Sequence, residues 1–287
     1  MNYHTLISPH ELANHLADPD WAVFDCRFTL GDAERGRRDY HEAHIPGAVY
    51  VHLEEELCAP VIKGKTGRHP LLALQETVQL LSRLGIDQNI QVVAYDDWTP
   101  ISGAVAARLW WMLRWLGHER VAVLDGGWKA WLAAALPTVS GNETRHPRQF
   151  VPRLHSEIYA NMADVKAALS HPGWKVLDSR TADRYRGENE TIDPLAGHIP
   201  GAINAPYVEN GTSQGTFRSP EELRQRFTQL LGESPAQKTI FYCGSGVTAA
   251  VNVLALKHAG LGDARLYVGS WSEWITDPEN PVTCQEQ

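Results

Sequence analysis

The segment Cys243-Gly244-Ser245-Gly246-Val247-Thr248 sets a thiol and a hydroxyl among two glycines, between an apolar run ending at Tyr242 and a helical pattern that follows. Glycine lets the backbone adopt positive φ, so that successive N–H groups can curl around the sulfur. A helix N-terminus just beyond adds partial positive charge. Both features favour the thiolate, the nucleophilic form of cysteine, and would hold a sulfur-loaded, persulfide form equally well. The Ser245 hydroxyl can hydrogen-bond a carbonyl or relay a proton. For Cys26, which follows Phe24 in an apolar run, the expected role is plain core packing.

The elements that must position this loop follow from hydrophobic pattern. Lys238 to Tyr242 reads as a buried strand, and Val247, Val251, Leu254 and His258 recur at helical steps, which puts Cys243 at a strand-to-helix turn. The chain also repeats itself. Trp21 to Arg27 recurs as Trp174 to Arg180, and His44-Ile-Pro-Gly-Ala48 as His198-Ile-Pro-Gly-Ala202, at offsets of 153 and 154 residues. Further on, Val92 to Asp96 matches Thr239 to Cys243, and Leu124 to Trp131 matches Tyr267 to Trp274. Asp96 therefore occupies the place of Cys243 in the first copy. Short strands alternating with helical patterns in both copies imply an α/β fold with two tandem domains, each a parallel sheet flanked by helices. The expected domains are residues 1–137 and 155–287, joined by a Pro- and Gly-containing linker over 138–154.

Composition narrows the function class. With 26 basic against 34 acidic side chains and a net charge of -8, the chain offers no basic stripe for nucleic acid. The apolar run Leu109 to Leu116 is far too short to cross a bilayer, and residues 1–16 lack the pattern of a secretory signal, so a cytoplasmic protein is expected. Cys26, Cys58, Cys243 and Cys284 show no metal-binding spacing and are expected as free thiols. His41 and His44 look like a metal pair but have no third ligand nearby, and His44 recurs as His198, which favours a structural turn role. No metal or cofactor is expected.

The Cys-Gly-Ser-Gly-Val-Thr loop, the paired His-Ile-Pro-Gly-Ala segments, the terminal Gly269-Ser-Trp-Ser-Glu-Trp274 and the duplication itself resemble the tandem rhodanese-domain sulfurtransferases over nearly the whole chain. The resemblance implies five-stranded parallel sheets, a catalytically silent first domain and a second domain whose cysteine becomes a persulfide. It implies a small anionic sulfur donor, with cyanide or a thiol as acceptor, such as reduced thioredoxin or a low-molecular-weight thiol. A Cys-Gly-Ser-Gly loop goes in that family with 3-mercaptopyruvate and a Cys-Arg-Lys-Gly loop with thiosulfate, so the former donor is slightly favoured. Gly244, Gly246, Val247 and Thr248 would then line the bound sulfur species, and Ser245 would act beside Cys243. Arg184 matches the arginine that holds the donor carboxylate, a task suited to a planar, permanently charged fork. A second family arginine shortly before His-Ile-Pro-Gly has no counterpart here, and Arg186 is the candidate to replace it. His69 is the match for a histidine, and Glu54 for an acid, that the silent domain directs at the cysteine loop, where they could manage a proton.

Two other classes use similar parts. Cysteine phosphatases and arsenate reductases end the loop with an oxyanion-binding arginine, and none occurs from Cys243 to Asn252. A non-catalytic binding module would have no use for the intact cysteine and its glycines.

Overall fold

The computed structural model describes residues 2–97, 99–101 and 103–284. The chain divides into two compact units. The first comprises Met1–Ala59, Leu71–His155 and Thr212–Phe217, and the second Pro60–Pro70, Ser156–Gly211 and Arg218–Gln287. Each half of the sequence thus gives one short loop to the unit built mainly by the other. The segment 138–154 counts with the first unit, where Arg148 and Phe150 donate their N–H groups to Ser82.

In the first unit the strands are β1 (Leu6–Ile7), β2 (Trp21–Asp25), β3 (Ala48–Tyr50), β4 (Gln91–Tyr95) and β5 (Val121–Leu124). They form a parallel sheet in the order β1-β5-β4-β2-β3. Its helices are α1 (Pro9–Ala13), α2 (Arg35–Glu42), α3 (Leu53–Glu56), α4 (Leu74–Arg83), α5 (Ala104–Trp115) and α6 (Gly127–Ala133). The second unit repeats the plan with β6 (Tyr159–Ala160), β7 (Lys175–Asp178), β8 (Ile203–Asn204), β9 (Thr239–Tyr242) and β10 (Arg265–Tyr267). Their order, β6-β10-β9-β7-β8, is the same permutation. Helices α7 (Met162–Leu169), α8 (Ala182–Tyr185), α9 (Pro220–Leu231), α10 (Thr248–His258) and α11 (Ser270–Trp274) surround it.

The central strands β4 and β9 are buried along their whole length, as strands covered on both faces must be, which is why they read as unbroken apolar runs. The helices that follow them, α5 and α10, are apolar almost all round and are buried accordingly. Outer helices instead carry start signals: Asn161 with Asp164 and Ser219 with Glu222 form capping boxes at α7 and α9. Among the described residues no helix is long and apolar enough to cross a membrane.

The repeated sequence segments are repeated structural devices. Arg27 clamps Asp25 in the first unit and Arg180 clamps Asp178 in the second, and each guanidinium lies over a tryptophan ring, Trp128 at 4.6 Å and Trp271 at 4.7 Å. These buried pairs tie the end of a central strand to the loop behind it, because Arg27 and Arg180 also donate to the Ala43 and Gly197 carbonyls, both at 2.7 Å. His44 and His198 stack on Tyr40 and Tyr185, with Nδ1 2.7 Å from those residues' carbonyl oxygens. Both histidines are turn-locking groups, while His41 sits at the surface against the Gly141 carbonyl.

Candidate active site

Cys243 directly follows β9 and is 1% exposed. The Gly246 N–H donates to its Sγ at 3.2 Å, and α10 starts two residues later. The two loop glycines serve different ends. Gly246 has φ +75, the left-handed region where glycine is favoured. Gly244 instead leaves room: a methyl group on its Cα would lie 3.0 Å from Arg68 Nη2 and 3.7 Å from Arg184 Nη1. Val247 is buried and forms the N-cap, and half-buried Thr248 opens the helix.

The other side of the loop is held by the turn after β10. Trp271 and Ser272 donate their N–H groups to the Cys243 and Gly244 carbonyls, each at 2.9 Å. The Cys243 N–H donates to Ser270 Oγ at 3.1 Å, and that hydroxyl donates in turn to the Tyr267 carbonyl at 2.8 Å. Ser270 does this from φ +56, a conformation disfavoured for a residue with a Cβ. Its counterpart in the repeat is Gly127, at φ +54, so the fold demands the conformation and only the cysteine-bearing copy fills it with a hydroxyl. The helix behind the loop is pinned by Asn252, fully buried, which donates to Ser179 Oγ and the Ala205 carbonyl at 2.8 Å each.

His69 and Ser245 belong to the same unit, and His69 Nδ1 lies 2.8 Å from Ser245 Oγ, with both side chains buried. The segment carrying His69 is seated by the Arg68 N–H, which donates to Ser272 Oγ at 2.9 Å. Gly67 lets it come this close, since a Cβ there would meet the Gly269 carbonyl oxygen at 2.5 Å.

Two arginines line the Gly244 side. Arg184 donates through Nε and Nη2 to Glu190 at 3.0 and 2.8 Å and through Nη2 to Asp193 Oδ2 at 3.0 Å. Arg68 donates through Nη1 to the other oxygen of Asp193. Burial would raise the Glu190 carboxyl, but the Asp193 and Ile192 N–H groups and the Arg184 guanidinium together hold it below its ordinary range. It therefore stays ionised as an anchor for Arg184.

Sequence reasoning missed Arg68, Asp193, Glu190 and Ser270. Arg186 donates through Nε and Nη2 to Glu188, both at 2.8 Å. Glu54 lies exposed in the first turn of α3, in the first unit. Cys26 and Cys58 are buried, and burial pushes the Cys58 thiol up to about 11 and Cys26 well above its ordinary value. In the first unit Asp96 occupies the turn between β4 and α5, and its carboxylate accepts from the Gly103, Val105 and Ala106 N–H groups at 2.6, 2.8 and 3.0 Å.

Residues 8–134 and 161–277 both match the rhodanese-like domain. The chain is 49% identical over 278 residues to the probable 3-mercaptopyruvate sulfurtransferase of Pseudomonas aeruginosa, covering 96% of this chain and 97% of that protein. It is 31% identical over 292 residues to the thiosulfate sulfurtransferase of Rattus norvegicus, covering 98% and 96%. The crystal structure of SseA from Escherichia coli, described as a 3-mercaptopyruvate sulfotransferase, superposes with a TM-score of 0.80 at 31% identity, over 94% of this chain and 100% of that one. With rhodanese-like matches in both halves of the sequence and sulfurtransferases among its full-length relatives, the chain belongs to the rhodanese-like family of tandem-domain sulfurtransferases.

Proposed function

We propose that the protein transfers sulfur from 3-mercaptopyruvate, with thiosulfate as a second donor, to cyanide or a thiol through a persulfide on Cys243. The observation that carries this reading is the buried Cys243, two residues from a Ser245 hydroxyl paired with His69, with arginine nitrogens on the Gly244 side. The Cys243 thiolate attacks the donor sulfur, forming the S–S bond while the C–S bond breaks. The electron pair of that bond passes to the methylene carbon as an enolate, which takes one proton and leaves as pyruvate. Ser245 and His69 are placed to supply that proton, since a hydroxyl hydrogen-bonded to an imidazole can pass one along. From thiosulfate the leaving group is sulfite, which needs no proton at carbon. Cyanide or a thiolate then attacks the outer sulfur, and the bonding pair returns to Cys243.

The test is the mass of the protein after a single exposure to donor. Wild type should gain one sulfur atom, and cyanide should remove it as thiocyanate. Cys243→Ser should gain none, while Cys26→Ser, Cys58→Ser and Cys284→Ser should each load. Loading of Cys243→Ser would overturn the reading. Glu54→Gln, compared with His69→Ala in the same assay, tests whether that carboxylate supports the histidine: a matching loss of turnover would place it there.

A further inference from the structure

Trp21 and Trp174 hold matched places in the repeat, at the start of β2 and just before β7, yet they are packed differently. In the first unit the His15 ring stacks on Trp21, with centroids 3.9 Å apart and planes 5° from parallel, and Tyr3 lies edge-on to the same indole. Asp18 fixes that imidazole, its Oδ2 lying 2.6 Å from His15 Nδ1. The offset of 153 residues that relates Trp21 to Trp174 puts Ala168 in the place of His15 and His171 in the place of Asp18. Strand register adds a third exchange. Val123 pairs with Leu6 and Leu266 with Tyr159, so Ala122 of β5 corresponds to Arg265 of β10.

The result is a cation beside Trp174 where the first unit has a ring held by a carboxylate. The Arg265 guanidinium carbon lies 4.9 Å from the Trp174 ring centroid. Among the described residues half-buried Arg265 forms no hydrogen bond and no ion pair, and its Nε is buried. Beside it opens a cleft of about 250 Å³ lined by Asp164, Ala167, Ala168, His171, Trp174 and Arg265. A guanidinium removed from water in this way gains most from a carboxylate, through charge-assisted N–H donors.

We infer that this cleft binds a small aromatic monocarboxylate, its carboxylate on Arg265 and His171 and its ring against Trp174 and Ala168. The ring then takes the part that His15 plays on Trp21. Asp164 lies on the same wall, with Oδ2 accepting the Asn161 N–H at 2.9 Å in the cap of α7, and its charge favours a ligand with one negative charge over one with two. This site is separate from the cysteine loop, because Arg265 begins β10 and the turn that holds Cys243 follows the other end of that strand.

The test is a titration of the full chain with benzoate, followed through the indole N–H NMR signal of Trp174, which is assigned by its loss in Trp174→Phe. Wild type should show a saturable shift. Arg265→Ala removes the charge-assisted bond and should weaken binding about tenfold or more, and His171→Ala about threefold. The double variant Ala168→His with Arg265→Ala copies the arrangement of the first unit and should fold without any shift on titration. Arg184→Ala should bind as wild type does, and Arg265→Ala should still load sulfur on Cys243. No saturable shift in wild type, an unchanged affinity in Arg265→Ala, or a loss of the shift in Arg184→Ala would each overturn the assignment.

Discussion

At the scale of single residues, the proposed chemistry divides a nucleophile from the groups that would handle charge and protons. Cys243 takes a backbone N–H from Gly246, Ser245 meets His69 Nδ1 at 2.8 Å, and the arginines stand on the Gly244 side. A proton is needed only when the leaving group is an enolate, so Ser245→Ala and His69→Ala should lower kcat for 3-mercaptopyruvate more than for thiosulfate. For Ser245→Ala the difference should be about three- to tenfold, the worth of one hydrogen bond. Parallel steady-state kinetics with both donors check this, and equal losses would show that the pair acts only in holding the loop. The cysteine and its hydroxyl neighbour were legible in the sequence because they lie within three residues of each other. Arg68 was not, since its role depends on a contact with Asp193, 125 residues away, that no local pattern announces. Its position next to His69 was the available signal.

At the scale of elements, the turn between β10 and α11 matters as much as the cysteine loop. Ser270 holds the Cys243 N–H from a strained backbone, and positive φ costs a non-glycine residue about 1 kcal/mol. Ser270→Ala keeps the strain and leaves the Cys243 N–H without its hydroxyl partner, whereas Ser270→Gly removes the strain along with the bond. The alanine variant should therefore be the less stable of the two by about 1 kcal/mol, read from thermal or urea melts. Both should load sulfur more slowly than wild type. The alignment of Gly269-Ser270-Trp271 with Gly126-Gly127-Trp128 is visible in the sequence, but the shared conformation is not. Only the dihedral angles show that a serine here stands where glycine is the easier choice.

At the scale of the whole molecule, the repeat made the architecture readable: two copies of one strand and helix pattern give two five-stranded sheets of identical order. What periodicity does not convey is that residues 60–70 count with the second unit and residues 212–217 with the first. That is why the first half of the sequence supplies Arg68 and His69 to a site otherwise built from the second. The first unit's own loop is closed by Asp96, 1% exposed, which satisfies three backbone N–H groups. Asp96→Ala should lower the stability of that unit by about 3 kcal/mol or more, since a bond to a charged group is worth roughly 1.5–3 kcal/mol. Asp96→Asn should cost less. Both effects should appear in the melting temperature, while Cys243 of the folded variant still loads sulfur.

The carboxylate of Asp96 has a consequence for how the duplicated chain can change. A loop whose N–H groups are permanently satisfied from within gains stability and gives up exchange. The cysteine-bearing loop must do the opposite, because any side chain that saturated it would shut out the sulfur it has to accept and release. Selection for endurance and selection for turnover, which oppose each other within one site, therefore fall on different copies. A substitution that tightens the Asp96 loop should raise stability without slowing Cys243, whereas an equivalent change around Cys243 should slow its loading. Heat tolerance can drift upward through one half of the molecule without slowing the other.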